Sequence, residues 1–291
     1  MKKISPPGSL CVACAGILWG IIGLFVRALG DAQLTSMDIV AARAIVAAGL
    51  LFVLLAIFDR KSLRLRLRDV WCFLGTGIAS IVFFNYCYFS AVQMMSLASA
   101  AVLMYTAPAF VMVLARACFG EAFTRRKLLS LVLTFFGCVL VTGVVGSDTP
   151  LSFAGILFGL GSGLGYGLYT IFGKFAMARG YSAPAITFYT FLVAAIAASM
   201  LNGTSRIIVA AQSSAFPYML GLGALSTVLP FLLYTLGLRT LSGSRASILA
   251  SIEPVTAAIL GIVAYGETMQ PMTFAGVILV LVGIGVGSKG N

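Results

Sequence analysis

The chain has 291 residues, 60% of them hydrophobic and only 9% charged, where a soluble domain carries about 25% charged residues. A mean hydropathy of +1.08 excludes a water-soluble globular enzyme as the bulk of the chain. The formal net charge of +11 would suit a nucleic-acid binder only as a basic face on a soluble domain. Here Lys and Arg fall in short gaps between apolar runs, which is the pattern of topology determinants.

A membrane-spanning helix needs about 20 mostly apolar residues. Segments of this kind lie near 10–29, 37–58, 70–92, 96–115, 127–145, 151–173, 183–201, 215–238, 246–265 and 271–287. The expected fold is therefore all-α and integral to the membrane, with ten transmembrane helices. Lys2 and Lys3 give the first segment the flank of a secretory leader. The same segment recurs later in the chain, however, which argues that it is retained as part of a repeat. With the N-terminus inside, the even-numbered loops and the two termini carry every Lys and Arg except Arg27, Arg43 and Arg206. This positive-inside bias predicts that both termini are cytoplasmic.

The sequence also repeats itself. "GILWG" at 16–20 matches "GLGYG" at 163–167, an offset of 147. "ASAAVLMYTAP" at 98–108 matches "SRASILASIEP" at 244–254, an offset of 146, and Gly120-Glu121 matches Gly266-Glu267. Each half holds five predicted spans. Five is odd, so the second half enters the membrane from the opposite side. The expected organisation is two inverted five-helix repeats, 1–147 and 148–291, with the seam at Gly146-Ser147-Asp148-Thr149-Pro150. Inverted repeats of this kind recur in secondary transporters, with substrate sites near the bilayer midplane.

Two five-span repeats, a Pro within spans 4 and 9 and a Gly-Glu after each resemble the EamA-type branch of the drug/metabolite transporter superfamily. "SIEPVTAAILGIVAYGE" (251–267) is similar to its second-repeat signature, and "YTAPAFVMVLARACFGE" (105–121) to its first. The resemblance covers essentially the whole chain. It implies a ten-helix fold with a central cavity and transport, often outward, of amino acids, other metabolites or toxic compounds.

Pro108 and Pro254 each remove an amide donor and displace the carbonyl four residues earlier, at Met104 and Ala250. In lipid such a carbonyl needs a partner in the protein or in a watery cavity. Both prolines therefore mark helices expected to bend against the cavity and to take part in gating. Glu253 has Ala107 as its counterpart, so only one repeat carries the acid. An intramembrane carboxylate is a functional-site candidate. It has three roles open: steadying the bend by capping amides, carrying a coupling proton, or binding cargo. Trp19, Tyr86, Tyr105, Tyr166 and Tyr234 are candidate cavity-lining aromatics, because an apolar body with a polar tip suits a site that is apolar with few polar groups. Tyr88, Tyr169, Tyr189, Asn85 and Gln93 lie among them. Arg43, inside span 2 with Asp38 near, has an acid, a lipid phosphate or a substrate carboxylate open to it as partner, with snorkelling to the outer interface the leading expectation. Gly155, Gly159, Gly163 and Gly167, echoed by Gly16, Gly20 and Gly23, predict close backbone approach.

Cys11 and Cys14 form a lone CxxC in a chain without His, which gives a zinc site no basis. "GLGSGLGYG" lacks the strand and lysine of a nucleotide loop, and Asn202-Gly203-Thr204 carries no weight as a glycosylation sequon. No cofactor, metal or nucleic acid is expected. The leading expectation is a secondary transporter of a small organic molecule in the cytoplasmic membrane, a monomer or homodimer, working by alternating access. Uptake of a quaternary amine such as choline and flipping of a lipid carrier are the alternatives. An enzyme would need a convergent set of acid, base or metal ligands, which this chain does not offer.

Overall fold

The computed structural model describes residues 7–144, 152–266, 268 and 270–288. The predicted seam 146–150, Glu267, Lys2, Lys3 and Lys289 lie outside the described residues. Among those described, the regular structure is entirely helical. The principal helices are α1 (Gly8–Asp31), α2 (Ser36–Phe58), α3 (Leu67–Met94), α4 (Leu97–Phe119), α5 (Arg125–Val141), α6 (Phe153–Ala178), α7 (Ala183–Asn202), α8 (Phe216–Gly237), α9 (Gly243–Tyr265) and α10 (Pro271–Ser288). Among the described residues, eight of them, all except α5 and α10, are long and apolar enough to cross a membrane. The exceptions have 17 and 18 residues. At about 1.5 Å per residue they rise roughly 26 Å, slightly less than a hydrocarbon core of about 30 Å.

Helix starts follow the local sequence. Thr35, Ser96, Thr124, Ser152 and Ser182 each accept a hydrogen bond from an amide of the first turn. These are the side chains that satisfy orphan N–H groups. Gly120 and Gly266 close α4 and α9 at φ 68° in both cases, a left-handed conformation that Gly adopts without a Cβ clash. These two glycines are the pair matched by the sequence repeat.

Several helices are interrupted. α4 breaks at Tyr105-Thr106, and its second half begins at Ala107 with Pro108 next. α9 breaks at Ser251, and its second half begins at Ile252. Each Pro thus sits in the first turn of a half-helix, where its missing N–H would have had no intrahelical partner. α3 and α8 carry wide π-type turns at Gly75–Val82 and Ala224–Val228, again at corresponding positions. The sequence contains no proline signal for the first of them.

Glycines let the broken helices be approached closely. A Cβ on Gly16 would lie 3.0 Å from the Ala250 carbonyl, and one on Gly20 would lie 2.8 Å from the Glu253 carbonyl. On the other side, a Cβ on Gly163 would lie 2.9 Å and 3.2 Å from the carbonyls of Leu103 and Met104. The two carbonyls displaced by proline, Met104 and Ala250, therefore face the glycine surfaces of α6 and α1. α5 and α10 pack in the same manner. A Cβ on Gly137 would meet the Val280 amide nitrogen at 2.8 Å, and Ser130 Oγ donates to the Gly283 carbonyl at 2.6 Å. These contacts lie within one chain and account for the close approach at Gly137 and Gly283.

Loops that the positive-inside pattern places on one side touch one another. Asp69 pairs with Arg179 at 3.0 Å and accepts from Tyr181 at 3.1 Å. Glu121, after α4, accepts from Lys174 Nζ at 2.7 Å, from the Gly243 and Ser244 amides at 2.6 and 3.2 Å, and from Ser244 Oγ at 2.6 Å. At the opposite end Asp38 takes bonds from Thr35, Asn202 and Arg206.

Candidate functional site: a central cavity with two separated charges

A cavity of about 780 Å³ lies at the centre, walled by residues of α1, α2, α3, α4, α5, α6, α8 and α9. Its walls reach Ser36 and Leu97, the first residues of α2 and α4, and Val141 and Tyr265, the last of α5 and α9. All four mark the end of the molecule where Asp38 sits. At the other end the cavity floor is a layer of side-chain hydrogen bonds. Thr170 Oγ1 and Tyr234 Oη are 2.7 Å apart, as are Tyr169 Oη and Thr235 Oγ1. Beyond that floor lies the Glu121 cluster.

The aromatic wall is a connected set. Trp19 meets Phe231 at 5.1 Å, Tyr234 at 5.4 Å and Tyr166 at 6.0 Å between ring centroids. Phe84 meets Tyr166 at 5.4 Å. Such tilted and edge contacts are favourable for rings, and they fix the wall's shape. Tyr166 Oη donates to Glu253 Oε2 at 2.8 Å, joining α6 to the second half of α9. The bond that Glu253 accepts comes from this phenol across the cavity wall, and the backbone capping expected of it is not among its hydrogen bonds in the described residues.

The fold brings together most of the residues singled out in the sequence. Trp19, Tyr105, Tyr166, Tyr234, Glu253 and Pro254 line the cavity, as do Tyr88, Tyr169 and Asn85. Tyr86 does not. It is 54% exposed and rests edge-on against Phe158. At 3.6 residues per turn, Phe84, Asn85 and Tyr88 share one face of α3 and Tyr86 takes the opposite one. Gln93 is exposed, and Tyr189 is buried on α7, bonded to the Leu63 carbonyl at 2.7 Å. Pro108 is buried behind the wall and is not among the lining residues.

Arg43 departs most from expectation. It does not snorkel outward. It is 7% exposed, lines the cavity, and its Nε is buried with no hydrogen-bond partner. The capping box at Thr35 and Asp38 starts α2 at Ser36, and about two turns later the helix has rotated Arg43 inward. Position along a span gives depth, but the face is set by packing.

The cavity holds one guanidinium and one carboxylate in largely aromatic and aliphatic surroundings. Among the described residues no group of three or more His, Cys, Asp or Glu could hold a metal ion. Broken helices around a central cavity are the arrangement in which many secondary transporters hold their substrate sites. The profile of the EamA-like transporter family matches residues 6–143 and 153–287, and the chain belongs to that family. It is 30% identical to a transporter of Archaeoglobus fulgidus described as uncharacterized, over 95% of this chain and 94% of that protein. It is 27% identical to the threonine/homoserine exporter RhtA of Escherichia coli, over 76% of this chain and 72% of that one. A crystal structure superposes with a TM-score of 0.81 over 97% of this chain and 96% of the other, at 17% identity, which is a likeness of fold.

Proposed function

We propose that the protein is a secondary transporter that carries a small organic molecule through the central cavity by alternating access, in the direction of export. The observation that carries this reading is the cavity itself. It is walled by two helices broken at corresponding positions, each seated on a glycine surface across which it can move. Membership of the EamA-like family supports transport, and the activity of the RhtA relative, a threonine/homoserine exporter, supports export.

In this reading α1 to α5 and α6 to α10 are two inverted repeats that cross the membrane ten times, with both termini in the cytoplasm. The matched left-handed glycines, the matched helix breaks and the matched π-turns support that organisation. The cavity then opens to the outer side. The Thr170–Tyr234 floor and the Glu121–Lys174–Gly243 cluster form the closed inner gate. Glu253 and Tyr166 link the gate helices, and Glu253 with Pro254 and Pro108 is assigned to coupling and gating.

The test is flux in proteoliposomes of known orientation, with a panel of amino acids, amines and nucleosides. Saturable, cargo-specific flux is expected. Stabilisation by lipid carriers alone, with no flux of any small solute, would overturn the reading in favour of a flippase. Arg43 also argues against the quaternary-amine alternative, since a buried cation repels a cationic cargo.

A further inference from the structure

Arg43 is buried in the cavity wall without an ion pair or hydrogen bond among the described residues. A charge inside a membrane-spanning segment is costly, and buried charges are ordinarily paired. Two acids bear on it, Asp38 on the same helix and Glu253, whose charge acts on it within the cavity, and both take their hydrogen bonds elsewhere. Asp38, on the same helix, is taken up by Thr35, Asn202 and Arg206. Glu253 lines the same cavity but bonds to Tyr166, and no salt bridge joins it to Arg43. The guanidinium is therefore a donor fork facing an open volume.

We propose that Arg43 is the anion-binding residue of this cavity and that the cargo carries a carboxylate. The proposal rests on the transporter reading above and names the chemistry of its cargo. A planar guanidinium binds a carboxylate through two parallel N–H···O bonds. The remaining wall, Trp19, Phe84, Phe231 and the tyrosines, takes an apolar or aromatic body. The carboxylate has two sources, a plain organic acid or a zwitterion. Glu253 on the same cavity gives a zwitterion's ammonium an acceptor, whereas a plain acid leaves Glu253 without a partner from the cargo.

The experiment uses the full chain in detergent and in proteoliposomes. Thermal stabilisation is measured with phenylalanine, threonine and phenylacetate, and with phenylalanine methyl ester and phenethylamine, which lack the free carboxylate. Free carboxylates are expected to bind and the ester and amine to bind about 10- to 100-fold more weakly, the size of a lost charge-assisted pair. Phenylalanine binding with no response to phenylacetate identifies the zwitterion as the source. Equal responses to both identify the plain acid. Arg43→Gln is expected to lose the discrimination between acid and ester, and Arg43→Lys to keep part of it. Equal binding of acid and ester by the unaltered protein would overturn the proposal, and that comparison needs no variant to fold. An Arg43→Gln protein that melts normally and still prefers the acid would overturn it as well. Flux of a cargo without a carboxylate, unaffected by carboxylates, defeats the Arg43 assignment while transport stands. Arg43-dependent binding without flux of any solute leaves the site and defeats transport.

Discussion

At the scale of single residues, the sharpest electrostatic element outside the membrane-spanning segments is Glu121. Burial alone would raise its pKa. Hydrogen bonds from Lys174, Ser244 and the Gly243 amide, with the Lys174 charge, outweigh that and hold it at about 2, below the ordinary 4.5. A carboxyl depressed on folding stabilises fully above its unfolded value and loses that contribution as pH falls. Thermal melts should therefore show a loss of stability between about pH 4.5 and 2 that is absent in Glu121→Gln. The same variant should be less stable at neutral pH by about 2 kcal/mol, as expected for bonds to a charged group. If Glu121 also latches the inner gate, this variant should label faster at an introduced cytoplasmic-side cysteine. Tyr166→Phe removes the donor to Glu253 and should cost about 1–3 kcal/mol by leaving a buried acceptor unsatisfied. An unchanged melting temperature would show that water replaces the phenol.

At this scale the sequence was only partly legible. Trp19, Tyr105 and Tyr166 are recognisable because they lie deep in their spans, where an interfacial belt does not explain them, and Tyr234 because the repeat matches it to Tyr88. Tyr86 lies equally deep and points outward, because depth is a property of position while facing is a property of helix rotation. Arg43 shows the converse. Its length allows it to reach the interface, and only the neighbouring helices decide that it turns inward.

At the scale of elements, the prolines announced the breaks in α4 and α9, and the tetrad-spaced glycines announced close approach. What they approach became visible only in the fold. Gly16 and Gly20 face the broken α9, and Gly163 faces the broken α4. Gly20→Leu should block that contact and abolish flux while leaving the protein in the membrane, as measured by transport normalised to surface amount. Gly137→Leu, between α5 and α10 and away from the cavity, should instead destabilise by about 1–3 kcal/mol through overpacking. Its measured binding should be unchanged once folding is corrected for. The π-turns of α3 and α8 had no sequence signal, because a wide turn is set by what packs against it. Gly77 lies under Val193 and the Thr190 carbonyl, and Thr190 bonds to Thr76 at 2.7 Å.

At the scale of the whole molecule, the arrangement predicts where its ends lie. A reporter that fluoresces only in the cytoplasm should be active when fused after residue 291, and a reporter that needs the outer side should be inactive there. The reverse result would remove the cytoplasmic placement of the C-terminus and, with it, the reading that the cavity opens to the outer side.

Composition, spacing and repeats determined that this chain is helical and lives in a membrane, where its backbone must bond within each helix. They determined where the helices break and which family its signatures resemble. They did so because apolar length, proline, glycine and charge bias act locally along the chain. The tertiary structure alone decided which faces meet. It joined α4, α6 and α9 through Glu121, set the aromatic rings around a cavity, turned Tyr86 to the outside and placed Arg43 in the cavity wall. Those outcomes depend on the rotation of each helix against its neighbours, a relation between distant segments that no local pattern encodes.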